Sequence, residues 1–465
     1  MDNQKKEPRL GENKMGTMSE GKLLFNMAMP LVISMLVQAL YNVVDSIYVA
    51  AYSESAVTAL SLAFPIQNLQ IGCASGIAVG VNSLLSKSLG EGDRERANRA
   101  AGNGIFLTVI LTLGFMLFGF FGAGAYYNMQ PISQETAWGG TQYTAICCIF
   151  TIGVFVQILG ERLLQATGRT VYTMIAQSVG AITNIILDPL FIFGFAPLGI
   201  PEMGVAGAAI ATVIGQWIGA MVVIVFNLKC NPEIKFRVRY ILPKAEALKK
   251  ILTVGVPSAI MMAIGSVMNF GMNQILLGFP NIGETASGVF GVYFKLQSFF
   301  FMPVFGMNNA AVSIVAYNYG ARQPKRITKT LWLDCGSAMG IMLLGLGAFQ
   351  IFPEFLMGIF TEESTGHFVS IGVNALRTIS LVFPLAAIGI ALSASFQGLG
   401  NGIYATITSL CRQLVLLLPA AYLLSFTGNV NAVWWAFPIA EVGSFAVTMF
   451  CYRLIYKKRI KPLYS

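Results

Sequence analysis

GIAVGVNSLLSKSLGEGDRER, residues 76–96, returns 230 positions later as GMNNAAVSIVAYNYGARQPKR, residues 306–326. Gly76 falls on Gly306, Ser83 on Ser313, Gly90 on Gly320 and Arg96 on Arg326. Two further segments repeat in the same order. LQATGRTVYTMI (164–175) meets FQGLGNGIYATI (396–407) at a shift of 232, and Pro30 and Asn42 meet Pro257 and Asn269 at 227. One match between apolar helices is weak, but three at nearly one period argue that the chain is a duplicated unit.

The unit is a membrane unit. Of 465 residues, 55% are hydrophobic and 11% charged, against about 25% charged in soluble domains. Apolar runs long enough to cross a bilayer place twelve spans at about 24–51, 56–86, 100–126, 140–163, 170–196, 203–228, 248–279, 283–317, 328–352, 367–396, 403–427 and 431–456. The expected fold is therefore an all-α integral membrane protein with two parallel six-helix repeats. Its parts are a tail (1–22), an N-lobe (23–228), a linker (229–247), a C-lobe (248–456) and a second tail (457–465). An even number of spans per unit makes the repeats parallel, an arrangement that puts a transporter's substrate path between its halves.

The net charge of +9 reports orientation. Loops after even-numbered spans are basic (Lys87, Arg94, Arg96 and Arg99; Arg162 and Arg169; Lys229 to Lys250; Arg322, Lys325, Arg326 and Lys329). Those after odd-numbered spans, such as 125–140 and 352–368, contain no Lys or Arg. This bias puts both termini in the cytoplasm and removes the case for a nucleic-acid partner. The N-terminal tail reads as no signal peptide. Seven cysteines without a CxxC, and the single His367, suggest neither a disulfide framework nor a zinc site.

Asp45 interrupts LYNVVDSIYVA, residues 40–50, in a run with no other charge from Leu23 to Ala51. An acid facing lipid there costs roughly 2.5–3.5 kcal/mol on insertion scales. Gln38, Tyr41, Asn42 and Asp45 share one helical face, which should turn toward the bundle interior or a watery cavity. The fifth span carries a second stripe, Gln177, Asn184 and Asp188, ending at Pro189. Both spans run outward, and both acids fall at similar depth in the outer half. In the repeat, Asp45 meets Met272, and Asp188 meets Leu418 or Ala420. Fold symmetry therefore does not require the acids. Two carboxylates brought close in a low dielectric share a proton or hold a cation between them. Asp45, Asn184 and Asp188 would be oxygen ligands for Na+; the same pair serves H+ equally. The competing reading is a hydrogen-bonded network that pins two helices.

Other charges fall in the second half: Lys295, Arg377, Arg412 and Glu441 lie within spans and could pair or line the path. Asp334, Glu161 and Arg162 are expected to be solvated near inner helix ends. Pro30, Pro65, Pro189, Pro257, Pro303, Pro384, Pro419 and Pro438 are expected to kink their spans. Gly72, Gly76 and Gly80 form a small-residue ladder, read as helix packing.

The stretches PLVISMLVQALYNVVDSIYVA, SLLSKSLGEGDRERANRA, GRTVYTMIAQSVGAITNIILDPLFIFG and GVAGAAIATVIGQ resemble the multidrug and toxic compound extrusion (MATE) transporters, closest to the DinF-like branch. The resemblance covers nearly the whole chain. It implies an antiporter of the bacterial inner membrane that expels cationic lipophilic drugs in exchange for Na+ or H+, without a cofactor. It implies cation coupling at Asp45, Tyr41, Asn184, Asp188 and Thr212, with Tyr143 on the fourth span beside them. Gln38, Asn42, Gln177, Lys295 and Arg377 are the candidate cavity residues. Acids found on the seventh and tenth helices of the NorM-like branch are missing here, which leaves coupling to the first lobe.

Two rivals remain open or weak. A lipid-linked oligosaccharide flippase would use Lys295, Arg377 and Arg412 along its cavity. A membrane enzyme lacks support, because the chain contains no HExxH, GxSxG or GxxxxGKS. The expected mechanism is rocker-type alternating access. Substrate identity, the choice of ion and the oligomeric state are not readable, although nothing demands more than a monomer.

Overall fold

The computed structural model describes residues 13–130, 132–359 and 367–464. The expectations for tail residues 1–12 and for loop residues 360–366 lie outside them. Ten described helices are long and apolar enough to cross a membrane, and two bent pairs complete twelve spans. Spans 1–6 are Glu20–Tyr52, Ser55–Gly90, Arg94–Asn128, Gln134–Ile149 with Ile152–Ala166, Thr170–Ile192 and Gly204–Cys230. Spans 7–12 are Ala245–Leu277, Gly283–Gly320, Pro324–Ile351, His367–Ser380 with Phe383–Gly398, Gly402–Ser425 and Val430–Leu463. Helices suit this composition because in lipid every backbone polar group must be satisfied within its own segment.

The turns after even-numbered spans show the duplication as geometry. Gly92 (φ 79°) and Arg322 (φ 53°) are repeat partners, and both are left-handed. Gly168 (φ 81°) and Gly400 (φ 76°) are partners in the turns after spans 4 and 10. Of these four turn positions only Arg322 carries a Cβ in this conformation, which costs an L side chain roughly 1–2 kcal/mol.

The lobes meet on the face that carries both termini. Span 2 packs on span 7, and span 8 packs on span 1, its repeat-related equivalent. A Cβ at Gly80 would lie 2.2 Å from the Ile251 carbonyl oxygen, and one at Gly306 2.9 Å from the Val32 nitrogen. Gly90 faces the Tyr317 carbonyl and Gly320 faces that of Lys87, reciprocal contacts across the seam. Ser83 Oγ donates to the Gln397 carbonyl (2.8 Å), and Ser313 Oγ to Asn82 Oδ1 (3.1 Å). These bonds continue outward to Asn68 and Ser266 at 3.4 Å. The glycine ladder is thus seam packing, as read.

A strap closes this face. The short helix Lys14–Thr17 follows Asn13, which donates to both carboxylate oxygens of Glu233 (2.9 and 3.0 Å). Met15 is fully buried, and its carbonyl accepts from Asn318 and Arg326, both at 3.2 Å. Arg326 also donates to the Met18 carbonyl (2.6 Å), and Glu20 pairs with Lys329 (3.0 Å). The strap therefore bonds the linker after the first lobe to the last turn of span 8 and the first turns of span 9.

The sharp bends differ from expectation. Span 4 turns by 47° at Phe150–Thr151, where there is no proline. The freed carbonyls find side-chain donors instead: Gln70 Nε2 bonds the Cys147 carbonyl (3.2 Å) and the Thr151 hydroxyl, and Trp217 Nε1 bonds that of Phe150 (3.2 Å). Its repeat partner, span 10, turns by 52° just before Pro384. There Gln350 Nε2 donates to the Arg377 carbonyl (2.7 Å). Pro30, Pro65, Pro189, Pro257 and Pro303 lie inside continuous helices.

Asp334 is also a correction. It is 1% exposed, and neither carboxylate oxygen has a partner. Its helix packs between spans 8 and 10, so a position ten residues into the span is interior, not solvated. Glu161 and Arg162 are half-buried, bonded to Gln157 (3.0 Å) and Gln165 (3.0 Å) respectively.

Candidate functional site

Spans 1, 5 and 6 form the heart of the first lobe, with span 5 packed against both of the others. Small residues allow this approach. A Cβ at Gly215 would sit 2.8 Å from the Gly180 carbonyl oxygen and 3.1 Å from Asn184 Cβ. The backbones of spans 5 and 6 are therefore close enough for Asn184 to reach across.

Asp188 has no exposed surface, and Asn184 is 3% exposed. Asn184 Nδ2 donates to Asp188 Oδ1 (3.0 Å) and, more loosely, to Thr212 Oγ1 (3.4 Å). Asp45 arrives from span 1, half-buried, within side-chain hydrogen-bonding reach of Asp188. Tyr41, one turn before it, lies within electrostatic range of both acids. The structure thus brings together Asp45, Asp188, Asn184, Thr212 and Tyr41.

Three buried oxygens here lack a donor: Asp45 Oδ1, Asp188 Oδ2 and Asn184 Oδ1. Buried polar atoms are rarely left unpaired, because each costs about 1–3 kcal/mol. An all-oxygen set with spare acceptors fits a hard monovalent cation, or a proton placed between the two carboxyl groups. Among the described residues no cluster of three or more His, Cys, Asp or Glu exists that could hold a metal ion. The set is therefore unlike a structural zinc or calcium centre.

A polar cavity adjoins the acids. Tyr41, Asn184 and Thr212 line it with Gln177, Gln157 and Gln216. Gln157 Nε2 donates to Gln177 Oε1 (3.1 Å) and to Glu161 Oε1 (3.0 Å). A polar track thus runs from the acid pair toward the inner half of span 4. Gln157 and Gln216 escaped the sequence reading, and Glu161, expected to be solvated, is instead half-buried on this track. Gln177 was found through its spacing to Asn184, but a lone glutamine on another helix carries no such signal.

Tyr143 is buried beside this group, accepts from Gln67 Nε2 (3.0 Å) and lies within electrostatic range of Asp45 and Tyr41. Gln38 is half-buried on the same face as Tyr41, whereas Asn42 is exposed. Lys295 and Arg377 are exposed in the other lobe and are not part of the cluster. Arg412 pairs with Glu441 at 3.9 Å.

With this geometry in view, comparison with known proteins is informative. The MatE family model matches residues 30–190 and 257–423, one match in each lobe. A FAD transporter of Shewanella oneidensis is 25% identical, over 91% of this chain and 92% of that protein. The multidrug export protein MepA of Staphylococcus aureus is 23% identical, over 90% of each. A solved structure described as the outward-facing conformation of a multidrug resistance MATE family transporter of the MOP superfamily superposes with a TM-score of 0.89. It is 25% identical and covers 97% of this chain and 98% of that one. The chain belongs to the MatE family: it is a multi-pass membrane transporter, and not an enzyme.

Proposed function

We propose that this transporter exports cationic lipophilic compounds by antiport with Na+ or H+, and that the ion binds at Asp45 and Asp188. One observation carries the reading: two carboxyl groups within bonding reach, with one buried oxygen on each, and one on Asn184, lacking a donor. Such a group has an unfilled requirement for positive charge. Its placement beside a polar cavity, in one lobe of a duplicated transporter, gives that requirement a use. MepA, the multidrug exporter among the relatives, supports the substrate class.

The basic termini-bearing face is cytoplasmic by the positive-inside bias, which suits a bacterial inner membrane. The lobes close there and are free to part on the other side. Ion entering from outside neutralises the acids. Span 1, carrying Tyr41 and Asp45, can then repack against span 5. The cavity loses its negative charge and with it the affinity for cationic drug. Release of drug lets the lobes rock about the seam of spans 2 and 7 and of spans 8 and 1. Asn184, which also bonds Thr212, holds the Asp188 carboxyl in place, and Tyr41 and Gln177 line the cavity.

A second reading rests on Lys295 and Arg377, which are exposed and have no ion-pair partner among the described residues. Cations facing the central cleft would favour an anionic cargo: a lipid-linked sugar headgroup or, as in the Shewanella relative, a flavin dinucleotide. Proteoliposomes separate the two. Ethidium efflux under an imposed pH or Na+ gradient, lost in Asp45→Asn and Asp188→Asn, is the expected result. Gradient-independent movement of an anionic lipid, unchanged in both variants, would overturn it.

A further inference from the structure

The second lobe lacks the acid pair: Met272 and Ala420 stand at its positions, and an ion pair internal to the chain lies at the counterpart of the neighbouring cavity. Span 11 repeats span 5 at a shift of 232, which puts Leu416 on Asn184 and Arg412 on Gly180. Span 12 repeats span 6 at a shift of 228, which puts Gly443 on Gly215 and Ala440 on Thr212. The structure supports both registers through one contact made twice. A Cβ at Gly215 would meet Asn184 Cβ at 3.1 Å, and one at Gly443 would meet Leu416 Cδ1 at 2.7 Å. The seventh span completes the correspondence: Tyr41 and Asp45 become Met268 and Met272, both buried and apolar.

In that frame Arg412 springs from the cavity-lining position of Gly180. Glu441 follows the counterpart of Thr212 by one residue. The guanidinium and carboxylate lie 3.9 Å apart, with side chains 27% and 12% exposed. Both residues are about ten positions from a span end, ~15 Å deep at 1.5 Å per residue. Span 10 comes close at Gly389, 3.9 Å from Glu441 Oε1 as measured from its added Cβ, and the buried Tyr293 of span 8 lies within electrostatic range of both charges. Arg412 sits in a π-helical stretch, Cys411–Leu417, a distortion frequent at functional sites. A lone intramembrane carboxylate would be costly; an always-charged guanidinium supplies its counter-ion.

We propose that Arg412 is a tethered cation: with Glu441 it fills the second lobe's counterpart of the cavity beside the ion site, so that this lobe binds no mobile ion. The proposal rests on the coupling role given above to Asp45 and Asp188. It makes the ion stoichiometry of the transporter a property of one side chain.

The test counts monovalent cations on purified full-length protein, using radiolabelled Na+ at alkaline pH and acid–base titration for protons. Arg412→Met is expected to bind one more cation per chain than wild type. Arg412→Met with Glu441→Gln, and Arg412→Lys, should match wild type. An unchanged count in Arg412→Met, or the same gain in the double variant, overturns the proposal. Should Arg412→Met fail to fold, Glu441→Gln decides alone. Its count should equal wild type, and a loss of one ion would mean that Glu441 binds a mobile cation in the native chain. Asp45→Asn and Asp188→Asn serve as controls: if they keep the wild-type ion, the coupling reading fails, while the comparison at Arg412 still stands.

Discussion

Asp188 is buried and accepts a hydrogen bond from Asn184. Removing that bond in Asn184→Ala leaves a buried acid less satisfied. The expected cost is about 1–3 kcal/mol of ion binding, read as a 5- to 150-fold weaker apparent affinity in a transport assay. Thr212→Ala, which loses only the 3.4 Å contact, should cost less. Asp334 predicts the opposite sign. Both of its oxygens are buried without partners, and replacing such a group with an apolar one of similar volume is neutral or stabilising. Asp334→Leu should hold or raise the thermal midpoint in detergent; a fall of several degrees would mean that Asp334 has a partner in the native state. At this scale the acids of spans 1 and 5 were legible because a charge in an apolar run stands out. Gln157 and Gln216 were not, because an uncharged amide in a span is common and only the fold shows which ones converge. The interior place of Asp334 was hidden for a related reason: its sequence distance from a helix end suggested water, and only packing between spans 8 and 10 decides burial.

Among the elements, the two bent spans and the strap set how the lobes can move. Gln70 caps the break in span 4, and Gln350 the break in span 10. Gln70→Leu should strand the Cys147 carbonyl, at about 1–3 kcal/mol, and lower the thermal midpoint. Hydropathy could outline span 4 but not its bend, since a proline-free break depends on donors from spans 2 and 6. The strap was equally hidden, because a polar stretch before the first span reads as a tail. Arg326→Ala removes its bonds to Met15 and Met18. Amide exchange at residues 15–20 should then speed up, while exchange within span 5 should not. The strap also carries a pH signature. Burial is the main cause that holds the Glu233 carboxyl above the ordinary carboxylate range, against the opposing charge of Arg169 and the Asn13 bond. A raised folded value means that the protonated form is the better accommodated one. Its contribution is present below the unfolded value and is lost as pH rises through the folded one. Glu233→Gln should therefore stabilise the protein at neutral pH, with the difference vanishing on acidification. A constant difference would contradict this.

For the molecule as a whole, the duplication in the sequence foretold two repeated halves, while the reciprocal seam between them emerged only from the packing of spans 2 and 7 and of spans 8 and 1. It could not foretell which face was closed, since both arrangements use the same helices. A Cβ at Gly80 or Gly90 would collide with a backbone carbonyl of the other lobe, so Gly80→Leu should wedge the inner face open. Spin labels on the inner ends of spans 2 and 8 should then report longer distances than in wild type. The central claim, that the first-lobe acids carry the coupling ion, is tested most directly by substrate-driven ion flux. Vesicles are given a tetraphenylphosphonium gradient and no ion gradient, and movement of Na+ and H+ is followed with an isotope and a pH dye. Wild type should move one of these ions against the direction of the substrate, and Asp45→Asn and Asp188→Asn should abolish that flux. Undiminished ion flux in both variants would contradict the account.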